Sequence, residues 1–344
     1  MYDAHYDLLT YIYLKRNNIP YIKEYCKKIF NENNIMGGIF NLFFMSKQEM
    51  KEELDIDETE LNLIEMLNIV LELIKEYQII PSDIKYIVGV EGLDYLNNIQ
   101  DVETLYKLGV RAVNPVWNNM NKFGAGARIG LEKGASVLMP TKKINTYKRQ
   151  SVDGLTKQGE KLIEELVKYR IAIDLSHTND KTFYDIISIC KKIKNKGDKP
   201  IVFASHSNSR RICNIPRNLT DNQIIEIKKL GGVIGVVAHK SFCRVLNLNN
   251  LQNKQINYEN DYLRQINYIK NLLGDVESIV LSTDDMRYYF KDIKYYHNVN
   301  TFQHNTVSKN IRELLSENGY DKDEMDKIMF RNLENKILNS TIYY

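Results

Sequence analysis

The 344-residue chain has one tryptophan, six prolines and four cysteines, and no apolar stretch reaches the ~18 residues that a membrane span needs. Cys26, Cys190, Cys213 and Cys243 lie far apart and form no CxxC pair. A disulfide framework is therefore not indicated, and reduced thiols in a reducing compartment are the expectation. The opening MYDAHYDLL has two acids and no basic segment, unlike a secretory signal, so a cytoplasmic location follows by elimination. Charge of either sign is barely in excess: 47 Lys and Arg against 44 Asp and Glu leave +3. That balance points away from nucleic acid and from an anionic membrane surface, and no nucleic-acid motif is present. The basic run Lys191–Lys199 is broken by apolar and acidic residues and reads as a solvated helix end. No internal repeat, low-complexity linker or Pro/Gly-rich boundary divides the sequence, so residues 1–344 read as a single domain. Hydrophobic content of 43% and charged content of 26% are those of an ordinary globular protein with a substantial core.

Short β-branched apolar runs alternate with longer amphipathic ones, the pattern of βα units around a parallel sheet. Eight runs read as strands: Tyr2–Asp7, Gly38–Met45, Tyr86–Glu91, Arg111–Pro115, Ala172–Ser176, Ile201–Ser205, Val233–Val237 and Ser278–Thr283. Helical periodicity fills Glu60–Tyr77, Lys157–Tyr169, Asp180–Lys194, Thr220–Leu230 and Asn260–Leu273. Thr220 and Asp221 supply a helix start and Gly231-Gly232 a stop. Eight strands with helices between them suggest an α/β fold of the TIM-type (β/α)8 barrel class, with a doubly wound sheet as the other arrangement strand counting allows. The Gly-rich segment Asn118–Thr156 exceeds a normal connection and reads as a functional loop.

Chemistry gathers at the strand ends. His5 and Asp7 are two apart, so on a strand both side chains point to one face. IVGVEG ends on Glu91, IDLSH on His177, FASHS on His206 and VLSTDD on Asp284. Each apolar strand runs straight into a ligand or an acid, and in a barrel the C-terminal strand ends face the active site. Imidazole and carboxylate together suit zinc or a similar divalent metal with positions left open for water and substrate. Any one of these residues alone reads as a hydrogen-bonded core or surface group; His5, Asp7, Glu91, His177 and His206, five over four strand ends, do not.

In motif order, DAHYDLL, VGVEG, LYKLGVRAVNPVWNNMN, DGLTKQGEKLIEEL, IDLSHTND, IVFASHSNSRR with IPRNLTD, LGGVIGVV and RNLENKIL resemble the membrane (renal) dipeptidase family of metallopeptidases over nearly the whole chain. The resemblance implies two Zn2+ per chain, other divalent metals being able to substitute. His5 and Asp7 would hold one, His177 and His206 the other, with Glu91 as the bridge. It implies Asp284 as the catalytic acid that moves a proton between water and leaving amine, and Arg217 as the contact for the substrate's terminal carboxylate, with Asn218 beside it. A planar guanidinium grips a carboxylate bidentately. The implied partner is a free dipeptide, L,D-dipeptides included, and the implied assembly a homodimer or larger homo-oligomer.

Three departures bear on the substrate. Trp117 stands where the animal enzymes have a histidine, and its indole offers only an N–H. The family's GxDFDG becomes STDDMRYY, which leaves Asp285 as a neighbouring candidate for the role given to Asp284, and Leu93-Asp94-Tyr95 replace small residues after the glutamate motif. These changes are expected at the rim of the site, Met286–Tyr289 included. They raise a metal-dependent amidohydrolase or lactonase acting on N-acyl amino acids as the alternative enzyme. A catalytically silent barrel retained for binding is the non-enzymatic alternative, against which the intact ligand set argues. His239, His297 and His304 match no ligand position and read as surface or rim residues.

Overall fold

The computed structural model describes residues 1–32, 34–44, 62–127, 153–243, 258–284 and 304–342. Met286–Tyr289, Asp285, His297 and most of the long loop after Asn118 lie outside the described residues. The eight expected strands are all present, most with shorter bounds: β1 Tyr2–Tyr6, β2 Gly37–Phe43, β3 Lys85–Glu91, β4 Val110–Asn114, β5 Ala172–Asp174, β6 Val202–Phe203, β7 Ile234–Val237 and β8 Ile279–Ser282. β1 to β6 pair in sequence order as one curled parallel sheet, and β7 and β8 pair as a second, two-stranded parallel one. The two are joined at one side by a parallel bridge between Ala204 and Ile234. At the other side the Asp284 N–H donates to the His5 carbonyl at 3.2 Å.

Helices cover the outer face. α1 Leu8–Leu14 and α2 Ile19–Lys27 follow β1, α3 Leu63–Tyr77 precedes β3, and α4 Asp101–Lys107 precedes β4. Then come α5 Lys157–Lys168, α6 Asp180–Asn195, α7 Asp221–Lys229 and α8 Tyr258–Leu273. Their starts are chemical: Asn62, Thr156, Asn179 and Thr220 each accept backbone N–H groups of the first turn, and Thr220 forms a full capping box with Gln223. Apolar residues three and four apart, such as Phe183, Ile186, Ile187 and Cys190 on α6, pack against the strands in one buried layer. All four cysteines are buried thiols in the interior.

A second apolar cluster sits at the N-terminal ends of the strands. Ile39, Ile87, Ala112, Ala172, Phe203 and Val280 meet Leu333, Ile337 and Leu338 from the C-terminal segment. Asn332 ties that segment to the start of β8 by donating to the Val276 and Ile279 carbonyls at 2.7 and 2.9 Å. Lys85 at the start of β3 reaches Glu334 at 2.6 Å. One end of the strands is thus closed by side chains, which leaves the other for function.

Candidate metal centre

β1 carries an irregularity in register between Asp3 and Tyr6, the stretch that holds His5. Such bulges re-aim side chains. Here the close approach depends on Gly38, whose φ of +141° suits glycine, and a Cβ there would fall 1.9 Å from the Asp3 carbonyl oxygen. Asp3 holds the bulge, accepting from the His5 and Thr283 backbone N–H groups at 3.0 and 3.1 Å. Burial, working against those bonds, raises the Asp3 carboxyl to about 6.

Asp7 stands at the N-cap position of α1 yet caps nothing; both of its carboxylate oxygens are buried without a hydrogen-bond partner. Glu91 is the last residue of β3. His177 and His206 each follow their strand by three residues, after β5 and β6. The five groups converge, and each oxygen of Glu91 faces one set: Oε2 lies 3.2 Å from His5 Nε2, while Oε1 lies 2.6 Å from His177 Nε2 and 3.4 Å from His206 Nε2. His5 Nε2 is 3.6 Å from Asp7 Oδ1. The sets His5–Asp7–Glu91 and Glu91–His177–His206 each have ligand atoms within 4.8 Å of one another, as does a third set, His5–His206–Asp284.

The donor set fits divalent cations. Around His177 Nε2 stand the Glu91 oxygen at 2.6 Å, His206 Nε2 at 2.9 Å and Arg217 Nη2 at 3.0 Å. One ring nitrogen has a single proton or a single lone pair, so it cannot serve all three. Its other nitrogen faces Asn118 Oδ1 at 3.0 Å, an acceptor, which puts the ring proton on Nδ1 and the lone pair on Nε2. Burial and the Arg217 charge push His177 down to about 3, so the ring is neutral. A neutral imidazole lone pair aimed at a carboxylate, together with the orphaned Asp7 oxygens, is the chemistry of a cation site. Burial works against ionisation of Glu91, but the His5 charge outweighs it and holds the carboxylate well below its usual range.

Asp284 follows β8 with φ +48°, an uncommon conformation for a non-glycine residue. Burial together with the Glu91 and Asp7 carboxylates holds its carboxyl well above the usual range, against the pull of His5 and Arg217. Arg217 is 2% exposed, and its Nε and Nη1 have no partner. Burial lowers it to about 10, so it stays a cation at neutral pH. The loop that carries it is fixed by Asn218, which donates to the Cys213 and Phe242 carbonyls at 2.9 Å each and accepts from the Asn208 N–H at 3.1 Å. Asn218 is thus occupied within the loop rather than facing the cavity, which Phe43, Glu91, Trp117, Asn118, His177, His206, Arg217, His239, Phe242 and Asp284 line.

Trp117 forms one wall, its ring 4.9 Å from Phe43 and 5.9 Å from His177. The chain folds back against it: Ala127 N–H donates to the His177 carbonyl at 2.6 Å, and a Cβ on Gly126 would fall 1.7 Å from the Trp117 carbonyl oxygen. Leu93 and Tyr95, expected at the rim, are instead buried in the main apolar layer, because the turn after β3 packs inward. His239 is likewise not a surface residue: it is 5% exposed and lines the cavity two residues after β7. Asn118, which orients His177, was missed by the sequence reading although it adjoins Trp117.

Residues 30–339 match the family described as Membrane dipeptidase (peptidase family M19), and the chain belongs to that family. An uncharacterised protein in the pqqA 5' region of Klebsiella pneumoniae is 31% identical over 201 residues, 58% of this chain and 64% of that one. Dipeptidase 3 of Mus musculus is 27% identical over 151 residues, 44% of this chain and 26% of its own length. The chain therefore spans less than two thirds of these curated relatives. Among solved structures, a Rhodobacter sphaeroides metallo peptidase liganded with a phosphinate mimic of the dipeptide L-Ala-D-Ala superposes with a TM-score of 0.67 at 20% identity, over 99% of this chain and 98% of that one. A dipeptidase described as a metallo peptidase gives the same TM-score and identity over 98% of both chains.

Proposed function

We propose that the protein is a zinc-dependent dipeptidase on a single closed (β/α)8 barrel domain, hydrolysing free dipeptides, L,D-dipeptides among them. The observation that carries this is the pair of ligand sets sharing Glu91, one oxygen toward each. His5, Asp7 and Glu91 would hold one cation, and Glu91, His177 and His206 the other. Zinc bound at those positions supplies a water of lowered pKa and polarises the scissile carbonyl.

The chain's own residues do the rest. Arg217, charged, buried and with two donor atoms unspent, binds the substrate's terminal carboxylate and fixes the peptide's orientation. Asp284, whose proton affinity is raised by burial and by the Glu91 and Asp7 carboxylates, takes a proton from the attacking water and passes it to the departing amine nitrogen. Phe43, Trp117 and Phe242 line the cavity and exclude water from the reacting carbonyl. A structural relative that carries a mimic of L-Ala-D-Ala supports trying D-residues on the C-terminal side. Buried, reduced thiols fit a cytoplasmic enzyme.

Kinetics of the zinc-loaded protein on a panel of L,L- and L,D-dipeptides test the reading; release of free amino acids supports it, and inactivity across the panel overturns it. Trp117 in the wall, with its single N–H, favours a second substrate class, N-acyl amino acids, which offer Arg217 the same carboxylate without a free amine. Higher kcat/KM on N-acyl amino acids than on dipeptides in parallel assays selects that class.

A further inference from the structure

Ser205 lies between the two ligand sets and belongs to neither. It is fully buried, and its Oγ stands 3.0 Å from His5 Nδ1, 2.7 Å from His206 Nδ1 and 3.3 Å from Ser176 Oγ. A carboxylate at the end of the chain fixes the direction at Ser176. Asp174 accepts the Ser176 hydroxyl proton at 2.7 Å, so that proton is spent. Ser176 Oγ can then only accept from Ser205, as it does from the His206 backbone N–H at 3.0 Å. A serine hydroxyl has one proton and two lone pairs. With its proton turned to Ser176, both Ser205 lone pairs are left for the two imidazoles, each of which must donate from Nδ1. Ser205 itself cannot drift: its N–H donates to Asp174 at 2.9 Å, and its carbonyl lies where a Cβ on Gly235 would be 1.7 Å away. The Asn41 carboxamide nitrogen stands 3.0 Å from His5 Nδ1, and the proposal requires this amide turned by half a revolution so that its oxygen accepts the same N–H.

We propose that Ser205 is a positioning residue common to both metal positions: one hydroxyl accepts the Nδ1–H of His5 and of His206, and so aims one Nε2 lone pair at each cation. The relay Asp174–Ser176–Ser205 sets its polarity. Partners that hold the far nitrogen of a ligand imidazole orient the ring, and their loss typically costs about 10–100-fold in metal affinity. The inference rests on the two-cation reading above.

The test is zinc titration of the full-length protein against a chromophoric chelator, with Ser205→Ala and Ser176→Ala beside the unsubstituted chain. Two zincs per chain are expected in the unsubstituted protein; fewer than two sinks the metal reading, and this proposal with it. Given two, Ser205→Ala is expected to weaken both by about 10–100-fold, with metal-free melting temperature within a few degrees and Ser176→Ala intermediate. Unchanged affinity, or loss at one position only, overturns the role of Ser205 and leaves the metal reading standing. Nitrogen-15 NMR of the histidine-labelled, zinc-loaded protein needs no variant: protons on Nδ1 of His5 and His206 are expected, and a proton on Nε2 of either overturns the proposal.

Discussion

Every second residue of β3, Ile87, Gly89 and Glu91, shares one face, and so do Val280, Ser282 and Asp284 along β8 and its end. At the N-terminal ends those faces are apolar and dry, closed by Leu333, Ile337 and Leu338. A few residues on, the same faces end in the Glu91 and Asp284 carboxylates, beside the imidazoles of other strand ends and the Arg217 guanidinium, and several of these groups are buried without partners. The plug end gains stability from transfer of apolar surface out of water. The rim end keeps charges in a buried place, where they oppose folding unless something binds them. Stability and function are therefore separable along single strands, and substitutions at the two ends should fail in different ways.

The largest contrast is expected from Asp284→Asn. Turnover should fall about 100- to 10,000-fold, the usual weight of a positioned acid, while zinc content and melting temperature stay near those of the parent. Unchanged turnover removes Asp284 from the chemistry. At the opposite end Ile337→Ala, with Ile337 fully buried, should cost about 2–5 kcal/mol in denaturant unfolding and leave kcat per folded molecule unaltered. If it instead lowers kcat at full folding, the two ends are coupled and the division fails.

Arg217→Lys should come next, raising KM about 10–100-fold with a smaller change in kcat, since the charge remains but the fork is lost. Equal loss in kcat would move Arg217 from carboxylate binding to the reacting atoms. The smallest effect belongs to the outer ion pair of Arg210 with Asp180, both bonds 2.8 Å and Asp180 exposed. Asp180→Asn should cost under about 1 kcal/mol and leave KM within twofold; a larger rise in KM would show that this pair holds the Arg217 loop.

Much of this was legible in the sequence because a strand of this sheet announces itself twice, as a β-branched run and as the polar side chain that follows it. His177 and His206 were found that way. His239 also follows its strand, two residues after β7, and lines the cavity, but it belongs to none of the three ligand sets among the described residues. Asn218 shows the reverse, since adjacency to Arg217 says nothing about which way a carboxamide turns. The bulge in β1 had no signal beyond Gly37-Gly38 on the neighbouring strand. The plug gathers residues more than two hundred positions apart into one cluster, Ile87 and Leu333 among them, which no local pattern encodes.

In the proposed two-cation site, Glu91 lies between one cation held by His5 and Asp7 and another held by His177 and His206. Anomalous diffraction at the zinc edge from crystals of the zinc-loaded protein measures this directly. Two peaks are predicted, one beside each oxygen of Glu91. A single peak, or peaks away from Glu91, would contradict the account.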